Sequence, residues 1–432
     1  MGRTHIDYWD PNDQEFWERE EKRHARRNLW ISVPALFLAF AVWQIWSVVA
    51  VNLNSVGFDF TPSELFTLAA LPGLTGATLR IFFTFLPGIV GGRNFTVIST
   101  ALLLLPTIGI GIAVQNPDTS FATMAILAAL CGIGGGNFSS SMANISPFFP
   151  KKEQGGALGI NAGIGNLGVS AVQFLTPVVI GLGLIGAMTG SSQTMSDGRE
   201  VWIQNAAFVW VIPIVIVTVA AYFGMNNLPG TKRSFKEQSV IFKNKHTWIM
   251  TWLYTMCFGS FIGYAAAFPL LINSQFPELG MSGLAFLGPL IGALIRPVGG
   301  WISDKLGGAI VTFWDIVIMI LATAGVIFFI QINHFPGFLA MFLILFMTTG
   351  IANGSTFRMI PVIFPANEAP AVLGFTAAIA AYGAFLIPNI FGWSIDTMGT
   401  SVVALIIFIV YYVISLWITW YYYARKHAEV KC

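Results

Sequence analysis

Twelve times along this chain an apolar run reaches the length, about 20 residues, that a helix needs to cross the hydrocarbon of a bilayer. The runs lie at 29–52, 64–90, 95–115, 120–148, 157–185, 202–225, 247–273, 281–303, 309–331, 337–363, 371–393 and 401–423. Charged residues make up only 10% of the 432, against roughly 25% in an average soluble domain. That is too few to coat a water-facing surface. The expected fold class is an all-α membrane protein with 12 transmembrane helices.

The joints between runs are short, apart from NNLPGTKRSFKEQSVIFKNKHT at 226–247. Basic residues on short loops favour the cytoplasm. With the N-terminus inside, that side carries eighteen lysines and arginines, and the outer side carries Arg199 alone. Both termini are thus expected in the cytoplasm. The domain plan is a cytoplasmic segment at 1–28, six spans at 29–225, a basic linker at 226–246, six spans at 247–424 and a cytoplasmic tail at 425–432. Residues 1–27 are dense in charges of both signs and have no apolar core, which excludes a cleavable signal peptide. Cys131, Cys257 and Cys432 imply no disulfide framework. A net charge of +2 gives no reason to expect a nucleic-acid partner.

GATLR (76–80) and GALIR (292–296) differ at two letters and stand 216 residues apart. At the same offset Leu71 matches Leu287, Leu74 matches Leu290, Gly91-Gly92 matches Gly307-Gly308 and Asn137 matches Asn353. With one residue deleted, Phe149-Pro150 and Leu158-Gly159 match Phe364-Pro365 and Leu373-Gly374. The chain reads as a tandem repeat of two six-span halves in one orientation, as in transporters whose site lies at the repeat interface.

Arg80 and Arg296 each precede a Gly-Gly turn by about eleven residues, roughly 16 Å of helix at 1.5 Å per residue. Half of a ~30 Å core is about that distance, so both arginines lie near the midplane. Each costs about 2.5–3.5 kcal/mol there on insertion scales, and such a cost calls for a partner. Asp59, Glu64, Glu200, Glu278, Glu368 and Asp396 sit at span ends, and Asp315 is the acid placed clearly inside a span. Its depth matches that of Arg358 in the next span, so Asp315 and Arg358 are expected to form a structural ion pair. Arg80 and Arg296 are then left to a substrate anion. A guanidinium is planar, permanently charged and offers parallel N–H donors, which suits a compact trigonal or bent oxyanion better than a sugar or a drug.

Glycines crowd GIGGGN (132–137) and GGALGINAGIGNLG (155–168), including Gly159-xxx-Gly163, a spacing that lets membrane helices approach closely. GIGNLG (163–168) fits a dinucleotide-binding pattern in letters only, because it follows no strand and lies in a span. The five histidines fall in tails, joints or span ends, which disfavours haem ligation. No cofactor and no metal is implied, and an enzymatic role is not expected.

GGWISDKLGG (299–308) resembles the cytoplasmic loop motif of the major facilitator superfamily, with GIVGGRN (88–94) as a degraded first-half copy. GGGNFSSSMANISPFFPKKEQGGALGINAGIGNLGVSAVQ (134–173) closely resembles the signature region of the nitrate/nitrite porter family, the NarK type. ANGSTFRMIPVIFP (352–365) and LGFTAAIAAYGAF (373–385) look like its second-half counterparts, and 27–53 looks like that family's first span. The resemblance covers nearly the whole chain. It implies two six-helix bundles, an anion clamped by Arg80 and Arg296, and Phe40, Phe138, Asn166, Tyr254 and Phe258 as further substrate-binding residues. The rings would confine the anion's faces, and Asn166 and the Tyr254 hydroxyl would donate hydrogen bonds. Ala378 and Ala380 stand where the first half has Gly163 and Gly165, which bears on how freely span 11 bends.

The expected function is alternating-access transport of nitrate and nitrite across a bacterial inner membrane, as antiport. Nitrate–proton symport, transport of another small anion and an oxidoreductase subunit remain the alternatives. Expected partners are nitrate, nitrite and the lipid bilayer, with the protein a monomer.

Overall fold

The computed structural model describes residues 5–183, 189–229, 239–365 and 368–432. Residues 230–238 of the expected linker, with Lys232, Arg233 and Lys236, lie outside the described residues, as does Arg3. Among the described residues twelve helices are long and apolar enough to cross a membrane. Spans 1 to 6 are Lys22–Val56, Pro62–Phe83, Gly92–Ala113, Phe121–Phe148, Glu153–Ile180 and Asn205–Gly224. Spans 7 to 12 are Lys245–Gln275, Met281–Leu306, Gly308–Gln331, Phe335–Ile363, Ala369–Met398 and Val402–Ala424. Each overlaps one apolar run read from the sequence, because hydrocarbon leaves the backbone no water to bond and forces the helix. The chain parts into two compact units, Met1–Asp59 with Leu74–Ser234, and Phe60–Gly73 with Phe235–Cys432.

In the first unit, residues ahead of span 1 pack as a helical lead-in. Asp13 caps it by accepting from the N–H groups of Glu15 and Phe16. Trp17 is 1% exposed in a core with Leu29, Ile145, Phe148, Phe149 and Met225. The Trp9 indole donates to the Pro147 carbonyl at 3.0 Å. Span 1 is tied to the end of span 6 by a reciprocal pair: Asn28 donates to Asn226 Oδ1 at 2.9 Å, and the Asn226 N–H donates back to Asn28 Oδ1 at 2.8 Å. Span 4 meets spans 1 and 2 through its glycines. A Cβ at Gly135 would fall 2.5 Å from the Trp43 indole, and one at Gly136 would fall 2.9 Å from Leu79 and Phe83. Close approach therefore holds along 132–136. It does not hold at Gly159 and Gly163, where a Cβ would meet nothing within 4 Å; span 5 approaches span 1 at Gly165 and Gly168 instead. Spacing alone does not fix which face of a helix is packed.

The second unit is built around span 7, in which every residue from Ser260 to Ile272 is buried. A π-helical turn at Thr255–Gly259 interrupts this span, and such turns concentrate at functional positions. The first half of span 2 groups here. The Ser63 N–H donates to Asp396 at 3.1 Å, Thr67 donates to Asn389 Oδ1 at 2.9 Å, and a Cβ at Gly73 would fall 2.5 Å from the Ala384 backbone. Span 11 breaks at Ala381–Tyr382, whereas the glycine-bearing helix of span 5 runs unbroken over Lys151–Ile180. The break in span 11 sits where Gly383 packs on Gly259 of span 7. Residues after span 12 fold back onto the unit. Glu429 accepts from Lys245 at 2.5 Å, the Val430 N–H donates to the Tyr422 carbonyl, and the Ala309 N–H donates to the Cys432 carbonyl.

The repeat survives in backbone geometry. Gly91 and Gly307 adopt φ 93°, ψ 139° and φ 91°, ψ 136°, each closing the turn that opens the next span. A side chain is strained there by about 1–3 kcal/mol. Gly91→Ala and Gly307→Ala should each lose roughly that much stability in thermal unfolding. The loss should be larger at Gly91, where a Cβ would also fall 2.5 Å from Asn227 Oδ1. Unchanged melting in both variants would contradict the turn geometry. The hydrogen bond from Lys245 holds the Glu429 carboxyl below its usual range. A folded pKa below the unfolded one means the contact contributes fully above the ordinary glutamate range and is lost as pH falls through the lowered value. Protection from hydrogen exchange at 425–432, measured relative to the intrinsic rate at each pH, should therefore fall in acid, and Glu429→Gln should remove that fall.

Candidate anion-binding residues

Arg80 sits on span 2 of the first unit and is fully buried. Its Nε donates to the Gly135 carbonyl of span 4 at 3.0 Å. Its guanidinium carbon lies 4.7 Å from the ring centre of Phe138 and 5.0 Å from that of Trp43. Cation–π contacts contribute about 0.5–2 kcal/mol each. Two of them with one charge-assisted hydrogen bond are therefore comparable to the ~2.5–3.5 kcal/mol of placing an arginine at mid-membrane. They offset the cost of burial but do not neutralise the charge. Phe40 completes the ring cluster, 5.3 Å from Trp43 and 6.1 Å from Phe138. Asn166 is buried on span 5, and its Oδ1 has no hydrogen-bond partner among the described residues.

Arg296 sits on span 8 of the second unit and is partly buried. Its Nη2 donates to the Tyr254 hydroxyl at 3.3 Å, and its guanidinium carbon is 5.2 Å from the Phe357 ring centre. Tyr254 stacks on Phe258 at 5.6 Å and meets Phe357 at 5.3 Å. The π-helical turn after Tyr254 keeps Phe258 stacked on it, and Cys257 Sγ lies 3.2 Å from Thr356 Oγ1 of span 10. Each arginine is thus set against aromatic rings inside its own unit. Phe40 and Phe138 gather around Arg80, and Tyr254 and Phe258 gather around Arg296.

The expected Asp315–Arg358 ion pair does not form. Arg358 bonds Asp304, in the loop motif at the end of span 8, with side chains 43% and 57% exposed. Counting residues gave the depth of the Arg358 backbone, whereas its long side chain extends away from that level to Asp304. Asp315 is buried at 4% exposure, and its Oδ2 has no hydrogen-bond partner among the described residues. Trp43 and Phe357 were missed altogether. Nothing in a sequence with 37 phenylalanines and 14 tryptophans separates a ring facing a guanidinium from one facing lipid. The glycines opposite Trp43 were the available signal: Gly76 and Gly135 both abut its indole.

Residues 32–388 match the family model of the Major Facilitator Superfamily, and the chain belongs to that superfamily of membrane transporters. It is 44% identical over 98% of its length to the nitrate/nitrite transporter NarU of Escherichia coli (strain K12), covering 97% of that protein. It is 43% identical over 99% of its length to the probable nitrate/nitrite antiporter NarK2 of Thermus thermophilus, covering 98% of it. It stands among the superfamily's nitrate/nitrite porters. The crystal structure of a D-xylose-proton symporter shares the fold, with a TM-score of 0.71 at 16% identity over 92% of this chain and 97% of that one. So does a bacterial homologue of the human lysosomal transporter Spinster, with a TM-score of 0.69 at 15% identity over 92% and 96%.

The Arg358–Asp304 pair is solvent-exposed, a setting in which ion pairs contribute about 0–1 kcal/mol. Arg358→Gln should therefore leave the melting temperature within a degree or two. Asp315→Asn, which keeps the shape and removes a buried charge, should not lower it. A large loss in both single variants, recovered in the double variant, would restore the Asp315–Arg358 pair.

Proposed function

We propose that the protein is a multi-pass bacterial inner-membrane transporter of nitrate and nitrite, with both termini cytoplasmic, working by alternating access and not as an enzyme. Arg80 and Arg296 are the anion-binding groups, one from each half. The observation that carries the reading is a permanently charged guanidinium set against aromatic rings in both halves, in a chain 44% identical along 98% of its length to a nitrate/nitrite transporter. Ring faces exclude water and confine a flat anion, and the Tyr254 hydroxyl, already at Arg296, has an O–H to donate. Asn166, with a buried side chain, supplies N–H donors.

Exchange is the mode we propose. Two desolvated guanidinium groups resist closure around an empty site, and a monovalent anion relieves that resistance. The loaded carrier therefore reorients faster than the empty one, so nitrate moves one way and nitrite the other. One observation favours a second reading, nitrate–proton symport. Asp315 is buried, and its Oδ2 has no hydrogen-bond partner among the described residues. A carboxyl in that place is the kind of group that carries a proton in other carriers.

Arg80→Lys and Arg296→Lys should each cut transport by more than about tenfold in folded protein, because lysine keeps the charge and loses the planar fork. Near-wild-type rates in either variant would reject the arginine assignment. Nitrate uptake into proteoliposomes separates the modes. Exchange requires nitrite inside. Strong uptake into empty vesicles driven by an inward proton gradient, and lost in Asp315→Asn, would establish symport.

A further inference from the structure

Trp43 is the last residue of the first helical stretch of span 1, immediately before a break at Gln44–Ile45. Its indole is fully buried and wedged between two backbones. A Cβ on Gly76 of span 2 would fall 2.6 Å from its Nε1, and a Cβ on Gly135 of span 4 would fall 2.5 Å from its Cε2. Both neighbours are glycine because the ring fills the space a side chain would need. From that slot the ring faces the Arg80 guanidinium at 5.0 Å, and Gly135, which seats the ring, also accepts the Arg80 Nε–H through its carbonyl. Trp43 and Gly135 thus meet the guanidinium at two points: its carbon lies over the indole ring, and its Nε–H is committed to the Gly135 carbonyl.

The second half is arranged differently. The position 216 residues after Trp43 is Gly259, and the ring at Arg296 comes from Phe357 of span 10. Phe357 matches Ser141 of the first half, and Phe138 matches Gly354. The two halves therefore place their span-4 and span-10 rings three residues, or about one helical turn, apart along the helix. Arg80 is fully buried against Trp43, Phe138 and the Gly135 carbonyl; Arg296 is partly exposed, beside Phe357 and 3.3 Å from the Tyr254 hydroxyl.

We infer that Trp43 is a positioning residue that fixes the plane of Arg80 and thereby sets the affinity of the first half for a planar oxyanion. The inference rests on Arg80 being an anion-binding group. Trp43 acts through Arg80, so its ring quadrupole, and not only its bulk, enters the apparent affinity. A smaller attraction lets the guanidinium tilt on its Gly135 hydrogen bond, and its N–H groups lose their alignment with the anion.

The test varies the quadrupole at constant shape. Tryptophan analogues carrying one, two and three ring fluorines are placed at position 43, and nitrate counterflow is measured in proteoliposomes. KM for nitrate should rise stepwise with fluorination, by about two- to tenfold in all, while the maximal rate and the melting temperature stay near those of the parent. Trp43→Leu should raise KM at least as far, and Trp43→Phe should recover most of the loss. A KM that does not move along the fluorine series overturns the inference, because a purely space-filling ring is unaffected by fluorine. Equal damage from Phe and Leu overturns it as well. Arg80→Lys separates this from the broader reading. If that variant transports normally, the anion assignment fails; if it is inactive while the fluorine series is flat, only the role of Trp43 fails.

Discussion

A guanidinium in hydrocarbon is the constraint around which the first half of this chain is arranged. The charge at Arg80 cannot be removed by deprotonation. What surrounds it is softer: ring faces at Trp43 and Phe138 and a backbone carbonyl at Gly135. That carbonyl is within reach only because spans 2 and 4 lie close together, and they lie close because Gly76, Gly132 and Gly135 carry no side chain. Span packing, ring placement and charge stabilisation are one problem with one solution. It holds a positive charge in place by ring faces and a carbonyl dipole.

The fold was legible because a bilayer permits few alternatives. A run of about 20 apolar residues must be a helix, and the reading of twelve runs matches twelve helices with ends shifted by several residues. The two arginines were legible for the related reason that a charge stands out against an apolar background. The rings around them did not stand out. Phe40, Phe138, Tyr254 and Phe258 were reached through a resemblance, and Trp43 and Phe357 were not reached, because an aromatic residue in a span reads the same whether it meets a cation or a lipid tail. Arg358 shows a different limit. Counting residues measures the depth of an α-carbon, and a long side chain ends several ångströms away, which is how Asp304 rather than Asp315 became its partner.

Glycine patterns were half legible. The run at 132–136 brings spans together as its composition implies, whereas Gly159 and Gly163, with the more recognisable spacing, meet nothing. The break in span 11 follows from packing of Gly383 on Gly259, a contact between residues far apart in sequence. Local letters say where a helix is able to approach or bend, and the partner decides whether it does.

The matched turns at Gly91 and Gly307 carry a consequence for how such a chain drifts. Every single-base change that replaces glycine without creating a stop introduces a β-carbon, so no one-step replacement at either position keeps the backbone free. The two halves have exchanged most of their side chains, moving even the ring beside each arginine by a helical turn, yet these two φ angles remain within 2° of each other. At these two positions the main-chain path is held in both copies by a residue that no one-step replacement imitates.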